Sequence, residues 1–360
     1  MKLIAKIKLQ PNNEQRQALI ATMHLANAAC TYISDETWKH KIFGKFKLQK
    51  IVYQAVRERF DLSAQVTIRC IAKVTDAYKL DRDTKRTFRP AGAIAYDNRI
   101  LRYKLAKREV SIWMVAGRQA IAFVAGDRQV QLLARQKGES DLGYINGEFY
   151  LFAVCEADEP TPDDVEGYLG VDLGIVNIAT DSDGQKHSGS QVLGLRKRRR
   201  RQRRRLQKKG TRSAKRRLKK LSGRESRFAA HVNHCLSKTI VQKAKDTGRG
   251  IALEDLTGIR DRARLRKPQR TELNAWSFYQ LGQFIQYKAA LAGVPVVSID
   301  PAYTSQTCSC CGFVDKSNRK SQDTFLCGSC GFSANADRNA ATNIAIRGWG
   351  VVNRPNATDL

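Results

Sequence analysis

YLGVDLGIVNIATDSDG, residues 168–184, is the stretch that decides the fold of this chain. Its apolar start is typical of a buried strand, and the Asp-Gly pair near its end is typical of a turn. Asp172 lies inside the apolar part, where an unpaired carboxylate is energetically expensive. Two further apolar strands, at 250–253 and 294–299, alternate with helical patterns. This alternation predicts a mixed α/β layered domain.

Two more acidic residues stand in positions comparable to that of Asp172. Glu254 directly follows an apolar strand, and Asp337 falls in the first turn of a helix predicted at 335–347. Helical periodicity places Asp337 on the face of that helix that packs on the sheet. Three carboxylates brought together repel one another unless a cation neutralises them, and hard oxygen ligands suit Mg²⁺ or Mn²⁺. Two such ions could stabilise the attacking and leaving oxygens of a phosphodiester displacement.

Each acid also has an ordinary interpretation. Asp172 could be a turn residue, and Glu254 or its neighbour Asp255 could be a solubilising residue at a strand end. Asp337 could merely interact with the helix dipole. Taken singly, the acids are therefore weak evidence of chemistry.

Four of the nine cysteines have the spacing of a zinc site. They form two Cys-x-x-Cys pairs separated by fifteen residues: Cys308, Cys311, Cys327 and Cys330. Four thiolates leave no open position on zinc, which predicts a structural metal. Disulfide pairing is the alternative. Cys310, inside the first pair, is expected to be a bystander.

A membrane or secreted protein is not indicated. No uncharged apolar run reaches the roughly 18–20 residues of a spanning helix. The N-terminal MKLIAKIKLQ lacks the features of a signal peptide. We therefore expect a cytoplasmic protein, in which cysteine clusters bind metal more often than they form disulfides.

The charge of the chain is strongly positive and unevenly distributed. It has 64 Lys and Arg against 34 Asp and Glu, a formal net charge of +30. Between Arg196 and Lys220, 17 residues are basic and none is acidic, which leaves +13 on the rest. Such a surplus indicates polyanionic partners. A solvated or localisation-type cluster is the plainer alternative, but leucines inside the segment favour a basic helix along a nucleic-acid backbone.

The first 157 residues have a different pattern. An alternating strand at 2–9 precedes three helical patterns within 11–80. Short strand candidates follow, among them Val130–Leu133 and a hairpin across Asn146-Gly147. This order predicts a small β-barrel or sheet with a helical insertion.

Together these motifs resemble the TnpB family, the transposon-encoded RNA-guided nucleases related to type V CRISPR effectors. The resemblance covers roughly 168–347, and the order Asp, Glu, zinc ribbon, Asp makes it specific. The stretches that carry it are GVDLGIVNIATDSDG (170–184), HVNHCLSKTIV (231–241), IALEDLTGIR (251–260), WSFYQLGQFIQYKAALAGVPVVSIDPAYTSQTCSCCG (276–312) and FLCGSCGFSANADRNAATNIA (325–345).

The resemblance implies roles for these residues. Asp172, Glu254 and Asp337 would be the metal ligands of a RuvC-type, RNase H-like active site that uses Mg²⁺ or Mn²⁺. The four-cysteine ribbon, holding Zn²⁺, would bind target nucleic acid beside the cleft, and a basic helix at about 195–222 would bridge the lobes. The family pairs a guide RNA from the transposon end with double-stranded DNA next to a short flanking motif, so that base pairing selects the sequence.

The predicted architecture is an α/β RuvC-like nuclease domain with an inserted zinc ribbon, preceded by an N-terminal wedge-like β-barrel with a helical recognition insertion. The predicted limits are 1–10 and 86–157 for the barrel, 11–85 for the insertion, 158–167 for a linker, 168–303 and 332–350 for the nuclease domain, 304–331 for the ribbon and 351–360 for a tail.

The expected function is an RNA-guided, metal-dependent DNA endonuclease, monomeric in a ribonucleoprotein and associated with a prokaryotic nucleoid. The intact acid trio favours it over the family's nuclease-silent, DNA-binding repressors. An unguided, structure-selective RuvC-type nuclease is a further alternative. Actin-like and sugar-kinase ATPases also place Asp on a Gly-flanked hairpin, but the Gly-rich nucleotide loops that they need are not visible here.

Overall fold

The computed structural model describes residues 1–258, 278–321 and 323–352. The chain divides into two compact units, Met1–Asp158 and Glu159–Leu360. Each unit has its own sheet and its own hydrophobic core. The two units are described separately below.

The first unit is built on an antiparallel sheet of seven strands. They are β1 Lys2–Gln10, β2 Ile94–Tyr96, β3 Leu101–Lys104, β4 Glu109–Met114, β5 Gly117–Val124, β6 Gln136–Ile145 and β7 Glu148–Glu156. Their order is β2-β6-β7-β1-β5-β4-β3. On β1, buried Ala5, Ile7 and Leu9 alternate with more exposed residues, as expected of a strand with one face in the core. Closure of this sheet into a barrel stays a prediction.

Three helices are inserted between β1 and β2: α1 Asn13–His40, α2 Lys45–Phe60 and α3 Ala64–Leu80. A capping box starts α1, because the side chains of Asn12 and Gln15 each accept a hydrogen bond from the other's backbone amide. Ser63 caps α3 in a similar way. The apolar faces of all three helices share one core with the sheet. The three helical patterns read from the sequence are confirmed.

Local backbone signals explain one success and one error in the last third of this unit. Strands β6 and β7 are joined at Asn146 and Gly147, whose φ angles of 53° and 86° suit the predicted type I′ turn. Val130–Leu133, predicted as a strand, lies instead in helix α4, Asp127–Leu133. An acidic residue in its first turn favours this helix, and the β-propensity of Val130 is too weak to prevent it.

The second unit contains a mixed sheet of five strands. They are β8 Tyr168–Asp172, β9 Asn177–Asp181, β10 Lys186–Ser188, β11 Gly250–Glu254 and β12 Val296–Ile299. Their order is β10-β9-β8-β11-β12, and β11 runs parallel to both of its neighbours. Because β8 and β11 run in the same direction, their last residues lie at the same edge of the sheet.

Helices cover both faces of this sheet. The α-helices among the described residues of this unit are α5 Ser190–Lys209, α6 Arg212–Leu221, α7 Arg224–Asp246, α8 Phe278–Ala292 and α9 Ala336–Val352, and the last three pack on the strands. Leu253 of β11 belongs to a core with Ile240 of α7 and Leu281 of α8. Its neighbour Ala252 belongs to a separate core with Ile344 of α9. Successive residues of one strand thus face helices on opposite sides of the sheet, in the layered α/β arrangement that the sequence predicts.

The basic segment differs from its prediction as one helix at about 195–222. Gly210 and Gly223, with φ angles of 64° and 74°, separate α5, α6 and α7. A left-handed residue ends a helix, and glycine adopts that conformation at least cost.

The end of the chain also differs from its prediction. Because α9 extends to Val352, the first two residues of the tail predicted at 351–360 are helical. Residues 353–360 of that tail, and residues 259–260 and 276–277 of the family-like motifs, lie outside the described residues.

Candidate functional site

The three acids expected to bind metal come from two strands and one helix. Asp172 is the last residue of β8, and Glu254 is the last residue of β11. Leu253 is paired with Val171, so the two acids are the next residues along neighbouring parallel strands. Asp337 lies in the first turn of α9 and is only 5% exposed. The charges of Glu254 and Asp337 both contribute to the raised pKa of Asp172, as expected of neighbouring acids.

A close approach between β8 and α9 positions Asp337. A Cβ atom added to Gly170 of β8 would lie 2.0 Å from the carbonyl oxygen of Ala341 and 2.5 Å from the amide nitrogen of Ala345. Only glycine allows this helix to pack so tightly on this strand. The glycine two residues before Asp172 therefore determines how near α9 can approach.

Two of the three carboxylates have hydrogen-bond partners. The Oδ2 atom of Asp337 accepts a hydrogen bond from Asn177 Nδ2 at 2.9 Å, and its Oδ1 atom lies 3.3 Å from the guanidinium of Arg319. Glu254 Oε1 accepts a hydrogen bond from the hydroxyl of Thr304 at 2.5 Å. The carboxylate of Asp172 has no hydrogen-bond or ion-pair partner among the residues that the structure describes.

The electrostatics of the site follow from this arrangement. Loss of hydration, together with the charges of Glu254 and Asp337, raises the pKa of Asp172 from 3.8 to about 8, although Arg319 opposes the shift. Burial also raises the pKa of Glu254, and the hydrogen bond from Thr304 opposes it. The site thus holds more negative charge than its protein partners neutralise.

A hard divalent cation fits this donor set. Carboxylate oxygens are the ligands that Mg²⁺ and Mn²⁺ prefer, and a cation would relieve the charge that raises the pKa of Asp172. Among the described residues, only the four cysteines place all their ligand atoms within 4.8 Å of one another. A bound cation would therefore have to draw the three carboxylates closer together.

The four cysteines expected to bind zinc form one cluster. The sulfurs of Cys308 and Cys330 are 3.7 Å apart, and those of Cys311 and Cys327 are 3.6 Å apart. The Cys327 sulfur accepts hydrogen bonds from backbone amides, and that from Cys330 has the largest effect. These hydrogen bonds lower the pKa of the Cys327 thiol to about 6. The exposed Cys310 is not a member of the cluster. These four side chains fit a tetrahedral Zn²⁺ site.

The two halves of the cluster repeat the same backbone turn. The amide of Gly312 donates to the carbonyl of Cys308, and that of Gly331 donates to the carbonyl of Cys327. Both glycines have positive φ, 76° and 72°, which explains why glycine follows each cysteine pair. Strands β13 (Thr324–Leu326) and β14 (Ser333–Asn335) pair on either side of the second turn. The cluster is thus built from two equivalent knuckles.

Two buried asparagines of α9 attach the cysteine segment to the helix that carries Asp337. Asn339 accepts a hydrogen bond from the amide of Ser309 and donates to the carbonyl of Thr307. Asn343 donates to the carbonyls of Thr304 and Thr307. The cysteine cluster and the acidic site are therefore mechanically connected through one helix.

Sequence reasoning missed these asparagines, and also Asn177, Thr304 and Arg319. Asn177 and Asp337 are 160 positions apart, and no local pattern links them. The short interval from Cys330 to Asp337 was a usable signal that the ribbon and the third acid are close together.

The basic helices present their cations to solvent. Arg196 and Arg203 of α5 are paired with Glu225 of α7, at 3.5 and 3.2 Å. Five other arginines of α5 are exposed: Arg198, Arg200, Arg201, Arg204 and Arg205. A row of exposed arginines suits a phosphate backbone. None of the described helices is long and apolar enough to cross a membrane.

Two family models match the second unit and the residues just before it. The model described as "Probable transposase" matches residues 152–257, which include Asp172, Glu254 and the basic helices. The model described as "Cas12f1-like, TNB domain" matches residues 278–344, which include the cysteine cluster and Asp337.

Known proteins with related names are similar to this chain. A CRISPR-associated endodeoxyribonuclease Cas12f1 of Sulfoacidibacillus thermotolerans is 46% identical over 130 residues, which is 36% of this chain and 29% of that protein. A TnpB-like protein of Methanocaldococcus jannaschii is 34% identical over 128 residues, 35% of this chain and 45% of that protein. The matched part thus spans less than half the length of these relatives.

A solved structure shares the fold. The cryo-EM structure of a Cas12f1–sgRNA–target DNA complex matches with a TM-score of 0.65 and 14% identity, over 91% of this chain and 82% of that one. The two family models, the curated relatives and this fold similarity point to one group of proteins. Over the matched residues the chain is similar to TnpB-like and Cas12f proteins, and these similarities support a TnpB-family protein.

Proposed function

We propose that this chain is an RNA-guided DNA endonuclease that hydrolyses phosphodiester bonds at a RuvC-type site formed by Asp172, Glu254 and Asp337. The observation that carries the proposal is the carboxylate of Asp172, whose pKa is raised to about 8 beside two further acids. Burying such a group costs free energy of folding, so a carboxyl with this shift is a candidate functional residue. The names of the relatives, which include an endodeoxyribonuclease, support the same activity.

The residues around the acids have distinct tasks in this proposal. Asp172, Glu254 and Asp337 would hold Mg²⁺ or Mn²⁺. When bound, these ions supply Lewis-acid stabilisation of the attacking and leaving oxygens. Thr304 orients Glu254, and Asn177 orients Asp337 through the 2.9 Å hydrogen bond. Arg319 places a guanidinium, a good partner for a phosphate oxygen, beside the acids.

The partners of the proposed enzyme are a guide RNA from the transposon end and a double-stranded DNA target beside a short flanking motif. The exposed arginines of α5 would contact the nucleic-acid backbone, and the cysteine cluster would hold one Zn²⁺. We assign the first unit to the wedge-like barrel with its helical recognition insertion, and the second to the nuclease domain. One copy of the chain would act in each ribonucleoprotein.

The proposal is tested by purifying the full chain from cells that carry its flanking DNA and sequencing the RNA that co-purifies. The ribonucleoprotein is then incubated with a plasmid library with randomised flanks, in Mg²⁺ or in EDTA. Cleavage only with RNA and Mg²⁺, and its loss in Asp172→Ala with RNA binding retained, would support the proposal. Cleavage without RNA, cleavage by the variant, or DNA binding without cleavage would each contradict it.

A further inference from the structure

A groove opens beside the carboxyl end of β11, next to the acidic site. Its volume is about 110 Å³, and its walls are the end of β11 with the loop that follows and one face of α8. The residues that the argument uses are Glu254, Leu256, Tyr279, Gly282, Gln283 and Gln286. Because Glu254 is one of these lining residues, the groove adjoins the position where a bond would be cut.

The chemistry of this groove differs from that of the rest of the protein. Although the chain has a net charge of +30, none of the described residues lining the groove is a lysine or arginine. Leu253 and Leu256 contribute apolar surface instead. Among the described lining residues a phosphate would find no counter-charge, and Glu254 and Asp255 would repel it, whereas a flat, neutral, polar group would be accommodated.

The wall formed by α8 offers groups that suit such a ligand. Tyr279 is 75% exposed, and it shares one helix face with Gln283 and Gln286. The side-chain amide of Gln283 donates to Gln286 Oε1 at 3.1 Å. The carbonyl oxygen of Gln283 and the NH₂ group of Gln286 can therefore accept and donate further hydrogen bonds. An exposed ring beside an amide donor and acceptor is the combination that binds a nucleobase.

Gly282 gives an independent indication that this space is kept open. It lies inside α8, where glycine is less favourable than alanine. No described atom lies within 4 Å of a Cβ added there, so packing against the described residues does not require glycine. Because Gly282 lines the groove, a side chain at this position would take up ligand space.

From these observations we infer that the groove binds the nucleobase of an unpaired DNA nucleotide next to the scissile phosphate. The ring of Tyr279 stacks on the base, and Gln283 and Gln286 hydrogen-bond to its edge. The inference rests on the proposed endonuclease activity and adds the binding site for the substrate base.

Photocrosslinking tests the contact without requiring cleavage. The inactive Asp172→Ala ribonucleoprotein is mixed with target DNA that carries 5-iodouracil at successive positions around the cleavage site, irradiated, and analysed by peptide mass spectrometry. We expect a crosslink to Tyr279 at one or two neighbouring positions. Crosslinks that map only to other parts of the chain would overturn the inference.

Cleavage by matched variants gives a second test. Gly282→Leu and Tyr279→Ala should each slow single-turnover cleavage roughly 10-fold, the scale of one lost base-stacking contact, while DNA binding changes little. Tyr279→Phe, which keeps the ring, should restore most of the rate lost in Tyr279→Ala, and Gly282→Ala should raise the Tm. The control Gln242→Ala, an exposed glutamine bonded to Asp246 on α7, should behave as wild type.

The outcomes separate the two proposals. No cleavage by the wild-type ribonucleoprotein overturns both of them. Wild-type cleavage with unchanged rates in Gly282→Leu and Tyr279→Ala overturns only the assignment of the groove.

Discussion

Replacing Asp172 by asparagine should stabilise the protein in the absence of divalent cations while abolishing cleavage. Burial and the neighbouring charges of Glu254 and Asp337 raise the pKa of Asp172 from 3.8 to about 8. The folded state therefore binds the proton of this carboxyl more tightly than the unfolded chain does. The stabilising contribution of the neutral carboxyl is complete below about pH 4 and is lost as the pH rises to about 8.

The magnitude follows from the same shift. At pH 7 the carboxyl is ionised in the unfolded chain but largely protonated in the folded protein, and taking up this proton costs at most about 4 kcal/mol, from about 1.4 kcal/mol for each pH unit above 3.8. Structural relaxation and water reduce this cost, so Asp172→Asn should raise the free energy of unfolding at pH 7 by about 2–4 kcal/mol. The variant should also lose most of the pH dependence that the wild type shows between pH 4 and 8.

The difference in unfolding free energy between wild type and Asp172→Asn is measured by urea unfolding in EDTA at pH 5, 7 and 8.5. Hydrogen exchange in peptides of β8 and β11 monitors the unfolding. Mg²⁺ at 100 times its Kd should stabilise the wild type by about 2.7 kcal/mol and the variant by much less. An Asp172→Asn protein no more stable than wild type at pH 7 in EDTA would refute the reasoning.

A second aspartate of the same unit provides the matched control. Asp183 accepts two hydrogen bonds from Arg249, at 2.9 and 2.7 Å, and lies 2.9 Å from Lys243. These partners, Arg249 first, lower its pKa, so ionised Asp183 stabilises the fold. Its side chain is 40% exposed, and solvent screening limits the loss in Asp183→Asn to about 1 kcal/mol. The two substitutions should therefore change stability in opposite directions at pH 7.

Three further predictions concern zinc, packing and charge. Cys327→Ser should lose the single expected zinc in metal analysis. It should also cleave more slowly, because the ribbon is hydrogen-bonded to the helix that carries Asp337. The control Cys310→Ser should keep both zinc and activity. Gly170→Ala should destabilise the protein by about 3 kcal/mol or more in urea unfolding, since its Cβ would lie 2.0 Å from a backbone oxygen. The control Gly194→Ala, which has open space around it, should stabilise α5 by about 0.5–1 kcal/mol. Neutralising four exposed arginines of α5 should reduce the slope of log K against log salt for nucleic-acid binding by about 3, and an unchanged slope would contradict a backbone contact there. The four are Arg200, Arg201, Arg204 and Arg205.

Local signals account for what could be predicted about the fold. The Asn146-Gly147 turn and the three helical patterns within 11–80 depend only on nearby residues, and both agree with the structure. The predicted basic helix is interrupted because Gly210 and Gly223 adopt left-handed backbone conformations. Glycine can adopt this conformation at little cost, but it can also continue a helix. A residue that merely permits a break does not reveal from sequence alone whether the break occurs.

The sequence by itself determined which residue types could bind metal and how they are spaced. Asp172 and Glu254 stand at the ends of apolar strands, and each Cys-x-x-Cys pair has the spacing of zinc ligands. Each of these signals lies within a few residues of sequence. Only the tertiary structure decided which groups surround those acids. Asn177 contacts Asp337 across 160 positions, and the groove combines residues on either side of a long interval of sequence. Such contacts depend on how a strand edge and a helix face meet, and packing decides this rather than any periodicity along the chain.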